Sequence, residues 1–529
     1  MFSVKRGHKG SGTFIRPSVF LLAIVLVTII PYRHMIGRGF TDPDDYEEVY
    51  RALAVDLSDP SRILLDPHEV TRYRPMNRLV TAASTAIGGG TSSPFLLRNL
   101  FLHLINIGLV FGISLTLVSN PWPAALAAAL FAVHPANVNA VSIAVFTQVF
   151  STSVLLFGLY LFTRWLTQEP PKKGHSLALV SVLFVVVTFS SEMYLWVLPS
   201  YLLALLWLRR KAGSRRAYTG AMVLAIVGFV GYLLIRQLVV GQQGLPALPS
   251  GGRYGLRTPM QVIQNLGMLL VSGGMSLDFL HFINPAVETL PTSPGAIIAN
   301  PGILISIALG LLFTLSTILA GAYGFVALRN DNLGLSFLFS VLFLASISVV
   351  LITTSASETH LYTANAFLSI SVGLAFWELG KYLFRSNRPV HIVGRWLLVG
   401  VILLVLVSRA FGVENRNQVL LAKARRSQKL QQELAAAVAN CQGEDILITS
   451  ACKVPRGYSV YGGTGIELFQ WPGFAQLSLN RLSLRTEVVE LVQLDTGQIS
   501  LGSNICVAVV DMAGNMYRFP KMRSEWDCD

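Results

Sequence analysis

The stretch "GRGFTDPDDYEEVYRAL", residues 37–53, sets two adjacent carboxylates, Asp44 and Asp45, directly behind the first apolar segment of the chain. A carboxylate in such a place can take a proton from a hydroxyl. It also suits the start of a helix. Thr41 or Asp42 fits the cap and Pro43 the first helical position, with Asp44, Asp45, Glu47 and Glu48 in the first turns, where the helix dipole favours negative charge. Further along the same segment, "RYRPMNR" carries Arg72, Arg74 and Arg78. Arginines at a membrane surface can hold a phosphate in a bidentate grip. Other polar groups interrupt apolar runs: His134 in "FAVHPANVNAV", Glu192 in "SSEMY", Arg236 in "IRQLVVG", and Glu358, His360 and Tyr362 in "SASETHLYTANAF". Each has an ordinary structural reading. His134 before Pro135 can mark a helix end, Glu192 a solvated loop, Arg236 a snorkelling side chain and Glu358 a helix cap. Ionisable groups at membrane depth are nevertheless rare and usually functional. A base beside several cations suits group transfer from a phosphorylated lipid, the base taking the acceptor proton while the cations stabilise the phosphate leaving group.

The elements that must position these residues are membrane spans. The 529 residues are 53% hydrophobic and only 13% charged, with a mean hydropathy of +0.56. That composition excludes an ordinary soluble domain and predicts a polytopic α-helical membrane protein. Spans are expected near 17–36, 95–118, 122–142, 146–166, 175–191, 193–208, 217–240, 301–328, 333–354, 361–384 and 394–411, about eleven in all. The basic N-terminus "MFSVKRGHKGSGTFIRP" has no small-residue cleavage site behind its apolar run, so the first span is read as uncleaved. With the N-terminus inside, Arg164, Lys172, Lys173, Arg209, Arg210, Lys211, Arg329 and Lys381 fall in inside loops, as the positive-inside rule expects. Much of the net charge of +13 is thereby explained without a nucleic-acid partner. Residues 260–281 are apolar enough to span, but crossing would invert every later loop, so they are expected to be re-entrant or surface-lying. On this topology the polar groups share the outer face.

The chain divides into a transmembrane domain, 1–411, whose first outer loop is 37–94, and an extracytoplasmic region, 412–529. The latter opens with the helical run "NQVLLAKARRSQKLQQELAAAVAN" and continues into strand-like runs, "DILITSA", "IELFQW", "LSLNRLSL", "EVVELVQL" and "ICVAVVDM". A small C-terminal β-rich domain is expected there. All four cysteines, Cys441, Cys452, Cys506 and Cys528, lie in this region. An even set confined to one small domain reads as disulfides in an oxidising compartment, and the spacing does not suit zinc. With no N-x-[ST] acceptor in the chain, the expected location is a bacterial inner membrane, with the site and the tail on the periplasmic side.

In order and spacing these motifs resemble the GT-C glycosyltransferases, and within them the protein O-mannosyltransferase-like branch, including the transmembrane mannosyltransferases that carry tetratricopeptide repeats. The resemblance covers roughly residues 17–410 and rests on "DDY", "RYRPMNRL", the segment running into "HP", "SSEMYLWVLP", "IRQLVVG", "MSLDF" and "SETHLY". It implies a polyprenyl-phosphate-linked sugar as donor, inverting transfer, and a protein or glycan hydroxyl acceptor at the outer face. By position it implies Asp44 as catalytic base with Asp45 as helper. Arg74, Arg236 and Arg72 are implied for the donor phosphate, and His134, Glu192, Glu358, His360 and Tyr362 line the acceptor side, where a divalent cation is conceivable. The chain departs from the family at Asn139, often an acid, at "VFTQ" 145–148, often charged, and at Thr359, often arginine; the repeats are absent. Two rival readings stand beside transfer: an inactive scaffold presenting the tail, and a transporter of lipid-linked sugars. A transporter would favour inverted repeats and helices broken at mid-membrane, and the sequence displays neither.

Overall fold

The computed structural model describes residues 16–41, 43–53, 73–167, 215–240, 258–274, 301–326, 331–353, 360–384, 388–439, 445–450, 473–479, 485–488, 505–510 and 516–518, with a few isolated positions between them. Helix α1, Pro17–Tyr32, is apolar throughout and leaves Leu22, Leu26 and Ile30 exposed along one face, as a lipid-facing helix would. Pro31 sits in its last turn, and a short 3-10 turn, Arg33–Met35, ends the segment. Helix α2 is Pro43–Leu53 and α3 Pro75–Gly88. Helix α4, Ser93–Val118, ends where Ser119 takes a left-handed φ of 54°, and Asn120 then caps α5, Pro121–Ala132, by accepting from the Trp122 amide.

One expected span, 122–142, is two helices. α5 stops at Ala132 and α6, Asn137–Ser142, begins after a turn at His134–Pro135. Pro135 has no N–H to continue the ladder, so the chain closes with turn bonds, the Asn137 amide to His134 O at 2.9 Å and the Val138 amide to Pro135 O at 3.0 Å. Helix α7 is Gln148–Thr167, α8 Arg215–Val240 and α9 Pro259–Gly274. Helices α10, Pro301–Val326, and α11, Asp331–Thr353, form a hairpin, followed by α12, Leu361–Phe384. Among the described residues, four helices are long and apolar enough to cross a membrane, namely those over 17–35, 93–118, 361–384 and 389–437. Most of the span expected at 175–191, and all of that at 193–208, lie outside the described residues. The chain is an integral membrane protein with a mostly helical fold.

Of the segment 260–281, the described part is α9 up to Gly274, and 275–281 lie outside the described residues. The last residues of α9, Met268–Gly274, are buried, and its C-terminal carbonyls meet a cation: Arg409 donates from Nη2 to Gly274 O at 2.7 Å and to Gly273 O at 3.3 Å. A helix end inside the protein leaves carbonyls that need donors, and a guanidinium supplies them with the favourable charge. Glycine lets α9 and α10 cross this closely, because a Cβ on Gly310 would lie 2.8 Å from Val271 O.

The last helix, α13, Pro389–Ala437, runs through the expected domain boundary at 411/412. It is one unbroken helix of 49 residues. At 1.5 Å per residue it extends roughly 74 Å, against a hydrocarbon core of about 30 Å. Its far half therefore stands outside the bilayer. That half packs on the residues behind α1, where Arg33 makes a two-pronged pair with Glu414, both contacts 2.9 Å, and Gln418 joins at 2.9 Å. The end of α1, the acidic segment and the extension of α13 thus share one side of the molecule.

The C-terminal region contributes β1, Asp445–Ser450, the short helix α14, Phe474–Ser478, β2, Arg485–Val488, β3, Ile505–Val510, and β4, Met516–Arg518. The strand order is β2-β1-β3-β4, with β1 parallel to both neighbours and β4 antiparallel to β3. Parallel pairs need crossovers, so this is not a simple meander. The expected strand 477–484 begins instead inside α14, whose Phe474 is fully buried. The alternation "LSLNRLSL" suggested a strand, but the chain enters this segment through Gly473 at φ 111°, a conformation that starts α14.

Candidate active site

The first turn of α2 treats its two carboxylates differently. Asp44 is half-buried; Asp45 is wholly buried. Asp45 Oδ2 accepts from the Thr41 amide at 3.1 Å, closing the helix start on itself, and Oδ1 accepts from the Val145 amide at 3.0 Å. One carboxylate therefore joins α2 to the end of the α6 segment, 100 residues away. The charges of Arg38 and Arg98 both act on it. Arg38 donates from Nη2 to Ser142 O, and its own carbonyl accepts from Ser92 Oγ at 2.5 Å. Burial pushes Arg38 down to about 10, partly offset by Asp45, so it stays a cation near neutrality. Arg98 is a clamp: Nη1 reaches Ser84 Oγ at 2.7 Å, Nη2 reaches Ala144 O at 2.9 Å, and Nε and Nη2 both reach Asn99 Oδ1.

Tyr46 fastens the other side of α2. Its hydroxyl lies 2.5 Å from Ser427 Oγ on α13, and its ring meets Phe40 at 5.2 Å and Phe474 of α14 at 4.8 Å, both edge-on. Burial raises its phenol above the ordinary range. A Cβ on Gly473 would strike the Tyr46 backbone, so α14 rests directly on α2. The acidic turn is held between α6, α13 and α14 and cannot tilt alone.

The remaining sequence-predicted residues fall into two groups. Arg74 precedes α3, its carbonyl accepting from the Asn77 and Arg78 amides. Arg236 lies on α8 one turn past Tyr232, whose hydroxyl donates to Tyr73 O at 3.1 Å. Tyr73, Tyr232 and Phe189 pack as a separate aromatic cluster, which brings the backbone of Arg74 beside the face of α8 that carries Arg236. His134 and Tyr362 belong to a buried network instead. His134 Nε2 lies 3.0 Å from Gly273 O, while Nδ1 accepts from the Ala136 amide at 3.2 Å. Carbonyl on one nitrogen and amide on the other fix the Nε2–H tautomer. Asn365 bridges His134 to Asn137. Tyr362 pairs with His103 at 2.7 Å and receives Asn106 at 3.1 Å. His360 is half-buried just ahead of α12. Arg72, Glu192, Glu358, Cys441, Cys452 and Cys528 lie outside the described residues, and of Cys506 only the backbone in β3 is described. Among the described residues, no three His, Cys, Asp or Glu side chains gather as a metal site.

Sequence reasoning missed Arg38, Arg98, Arg409 and Arg416. A signal existed. Asn99, His103 and Asn106 recur at spacings of four and three within the apolar α4, which marks one polar face, and Arg98 adjoins it. Arg409 and Arg416 lie seven apart on α13, and both are buried.

No protein-family model and no curated protein matches this sequence. Among solved structures the chain is similar to ArnT from Cupriavidus metallidurans. In the apo state the TM-score is 0.47 at 13% identity, covering 93% of this chain and 93% of that one. With undecaprenyl phosphate bound it is 0.46 at 13% identity, covering 93% and 92%. The chain is also similar to the Archaeoglobus fulgidus oligosaccharyltransferase tethered to an acceptor peptide, with a TM-score of 0.46 at 12% identity, covering 90% of this chain and 64% of that one. It thus spans less than two thirds of the oligosaccharyltransferase's length.

Proposed function

We propose that this protein is a membrane glycosyltransferase of GT-C type. It moves a sugar from a polyprenyl-phosphate donor to a hydroxyl of a protein or glycan, with inversion, at the outer face of a bacterial inner membrane. The observation that carries this reading is the division of labour at the start of α2. Asp45 is buried and spends both oxygens on backbone amides, which fixes the turn. Asp44, its neighbour, keeps a partly exposed carboxylate at a helix N-terminus, where the dipole favours the ionised form a base needs.

In the proposed step, Asp44 takes the proton of the acceptor hydroxyl as that oxygen attacks the anomeric carbon. The bond from that carbon to the phosphate oxygen breaks, and the phosphate leaves with the electron pair. Arg74 and Arg236, joined by Arg72, are the cations proposed to receive it. The sequence resemblance supports these roles, and the packing of Tyr232 on Tyr73 is consistent with two arginines serving one phosphate.

The test compares the masses of exported proteins and surface glycans in a strain lacking this gene, restored with wild type or with Asp44→Asn. A mass increment restored by wild type alone identifies sugar and acceptor together and assigns the base. Equal restoration by both removes Asp44 from the chemistry. No glycan change with either favours the scaffold or transporter.

A further inference from the structure

The two ends of the helix bundle differ in chemistry. The acidic turn of α2 stands beside the extension of α13, on the side where α1 ends. From Pro389 to Phe411, α13 rises roughly 34 Å, about one hydrocarbon thickness. Its first turn therefore stands at the opposite membrane surface, together with the last turn of α12. The sequence that joins the two helices, "WELGKYLFRSNRPVHIVGRW", residues 377–396, has one acid, Glu378, against Lys381, Arg385, Arg388 and Arg395. An excess of positive charge persists there however its ion pairs are arranged. Arg385 lies outside the described residues.

Glu378 is met from within the bundle: Lys381 Nζ donates to its Oε1 at 2.6 Å and Asn332 Nδ2, on α11, at 2.5 Å. The arginines of α13 are placed differently. Arg388, His391 and Arg395 recur at spacings of three and four, along one helix face, and that face meets the end of α12. Arg395 Nε donates to Leu383 O at 3.1 Å, and its guanidinium lies over the Phe384 ring at 4.7 Å. The His391 ring packs on Tyr382 at 5.3 Å, and its Nδ1 is shielded from water with no hydrogen-bond partner among the described residues. Tyr382, Phe384 and Trp396 nevertheless stay exposed. A cation that served only topology, or only the carbonyl end of α12, needs no exposed aromatic rings around it. Arginines beside a tyrosine and a tryptophan at headgroup depth suit a phospholipid. The guanidinium groups take the phosphate, and the amphipathic rings lie between hydrocarbon and water.

We propose that Tyr382, Phe384, Arg388, His391, Arg395 and Trp396 bind the headgroup of an anionic phospholipid, of the chemistry of phosphatidylglycerol, at the membrane surface opposite the acidic turn. The site depends neither on the glycosyl-transfer reading nor on the arginines assigned to the donor.

The test holds the full chain in nanodiscs of phosphatidylcholine with a minority of phosphatidylglycerol and identifies the lipids it retains by native mass spectrometry. Wild type should retain phosphatidylglycerol, enriched on the order of tenfold over its share of the bilayer, because choline on the phosphate cancels the charge that the arginines read. Arg388→Gln and Arg395→Gln should each lower that enrichment about fivefold, and Trp396→Ala should lower it as well. Arg16→Gln, which removes an exposed cation from the same membrane surface at the start of α1, should leave it unchanged. Arg388 makes no side-chain cap bond, so its variant decides the matter if Arg395→Gln disturbs the end of α12. Retention of the two lipids in proportion to the bilayer overturns the site. So does an equal loss of enrichment in Arg16→Gln, which would make the preference a property of surface charge at large. Undiminished enrichment in Arg388→Gln overturns it too.

Discussion

The hydroxyls of Tyr46 and Ser427 lie 2.5 Å apart across 381 residues of chain. Tyr46 follows the acidic pair on α2, and Ser427 stands on the part of α13 that has left the bilayer. The contact ties the outer end of the last helix to the turn that carries Asp44. It should be a measurable source of rigidity. Tyr46→Phe keeps the ring against Phe40 and Phe474 and loses only the hydroxyl's contacts with Ser427 and Gln431, so about 1 kcal/mol of stability is expected to go. Tyr46→Ala also opens a cavity and should cost about 3–5 kcal/mol, the range for burying and then deleting a large aromatic. Unfolding midpoints of the two variants in detergent check the order.

Asp44 and Asp45 should separate cleanly under substitution. Asp44→Asn keeps the shape of the side chain at the helix start; it is expected to destabilise less than Asp45→Asn and to abolish transfer. Asp45→Asn should lose about 1–3 kcal/mol, because an amide nitrogen would face a backbone N–H at Thr41 or Val145. It also removes the counter-charge of Arg38 and Arg98. Paired stability and mass-spectrometric assays decide it. Equal destabilisation by the two variants would contradict the division of roles.

Arg409→Met should expose how much of α9 depends on its cationic cap. The carbonyls of Gly273 and Gly274 would lose a charged donor inside the protein, worth about 1.5–3 kcal/mol. Hydrogen exchange should rise first at Met268–Gly274, and unchanged protection there would remove Arg409 from the packing account.

The Arg33–Glu414 pair carries a pH dependence. Burial alone would raise the Glu414 carboxyl, but hydrogen bonds from Gln418 and Arg33, with the charges of Arg33 and His34, hold it below its usual value. A carboxylate depressed in the folded state stabilises above its unfolded pKa, about 4.3, and loses that contribution as pH falls through the folded value. Wild type should therefore exceed Glu414→Gln in unfolding midpoint at pH 7, with the gap closing only at acid pH. Because Arg33 is half-exposed, added salt should narrow the gap at pH 7. A gap that is constant with pH would mean the pair contributes nothing.

Helix positions were largely legible in the sequence, because an apolar run of bilayer length leaves few alternatives. The expected 361–384 is the helix observed, and 217–240 and 301–328 differ from the described helices by two residues at one end. Pro135 signals the helix end that the structure has there, while the apolar run on both sides of it reads as a single span. The expected domain boundary at 411/412 falls within one helix. A helix does not need to end when its solvent changes, since its backbone bonds are internal, and α13 continues. The parallel pairing of β1 with β2 and β3 was illegible for another reason: alternation reports which faces are apolar, not which strand lies beside which.

By itself the sequence determined a membrane-embedded helical chain and the placement of two carboxylates at a helix start behind the first span. Hydrophobicity and helix-end chemistry are local properties, written in neighbouring residues. Which aspartate is wholly buried, and which only half-buried, was decided only by tertiary structure. Asp45 is distinguished from Asp44 by an amide at Val145 and by the charges of Arg38 and Arg98. Those groups come from separate segments, and their meeting depends on how α4, α6 and α13 pack around α2. Two identical side chains side by side have no local feature that tells them apart; desolvation and hydrogen bonding do, and both are set by distant parts of the chain.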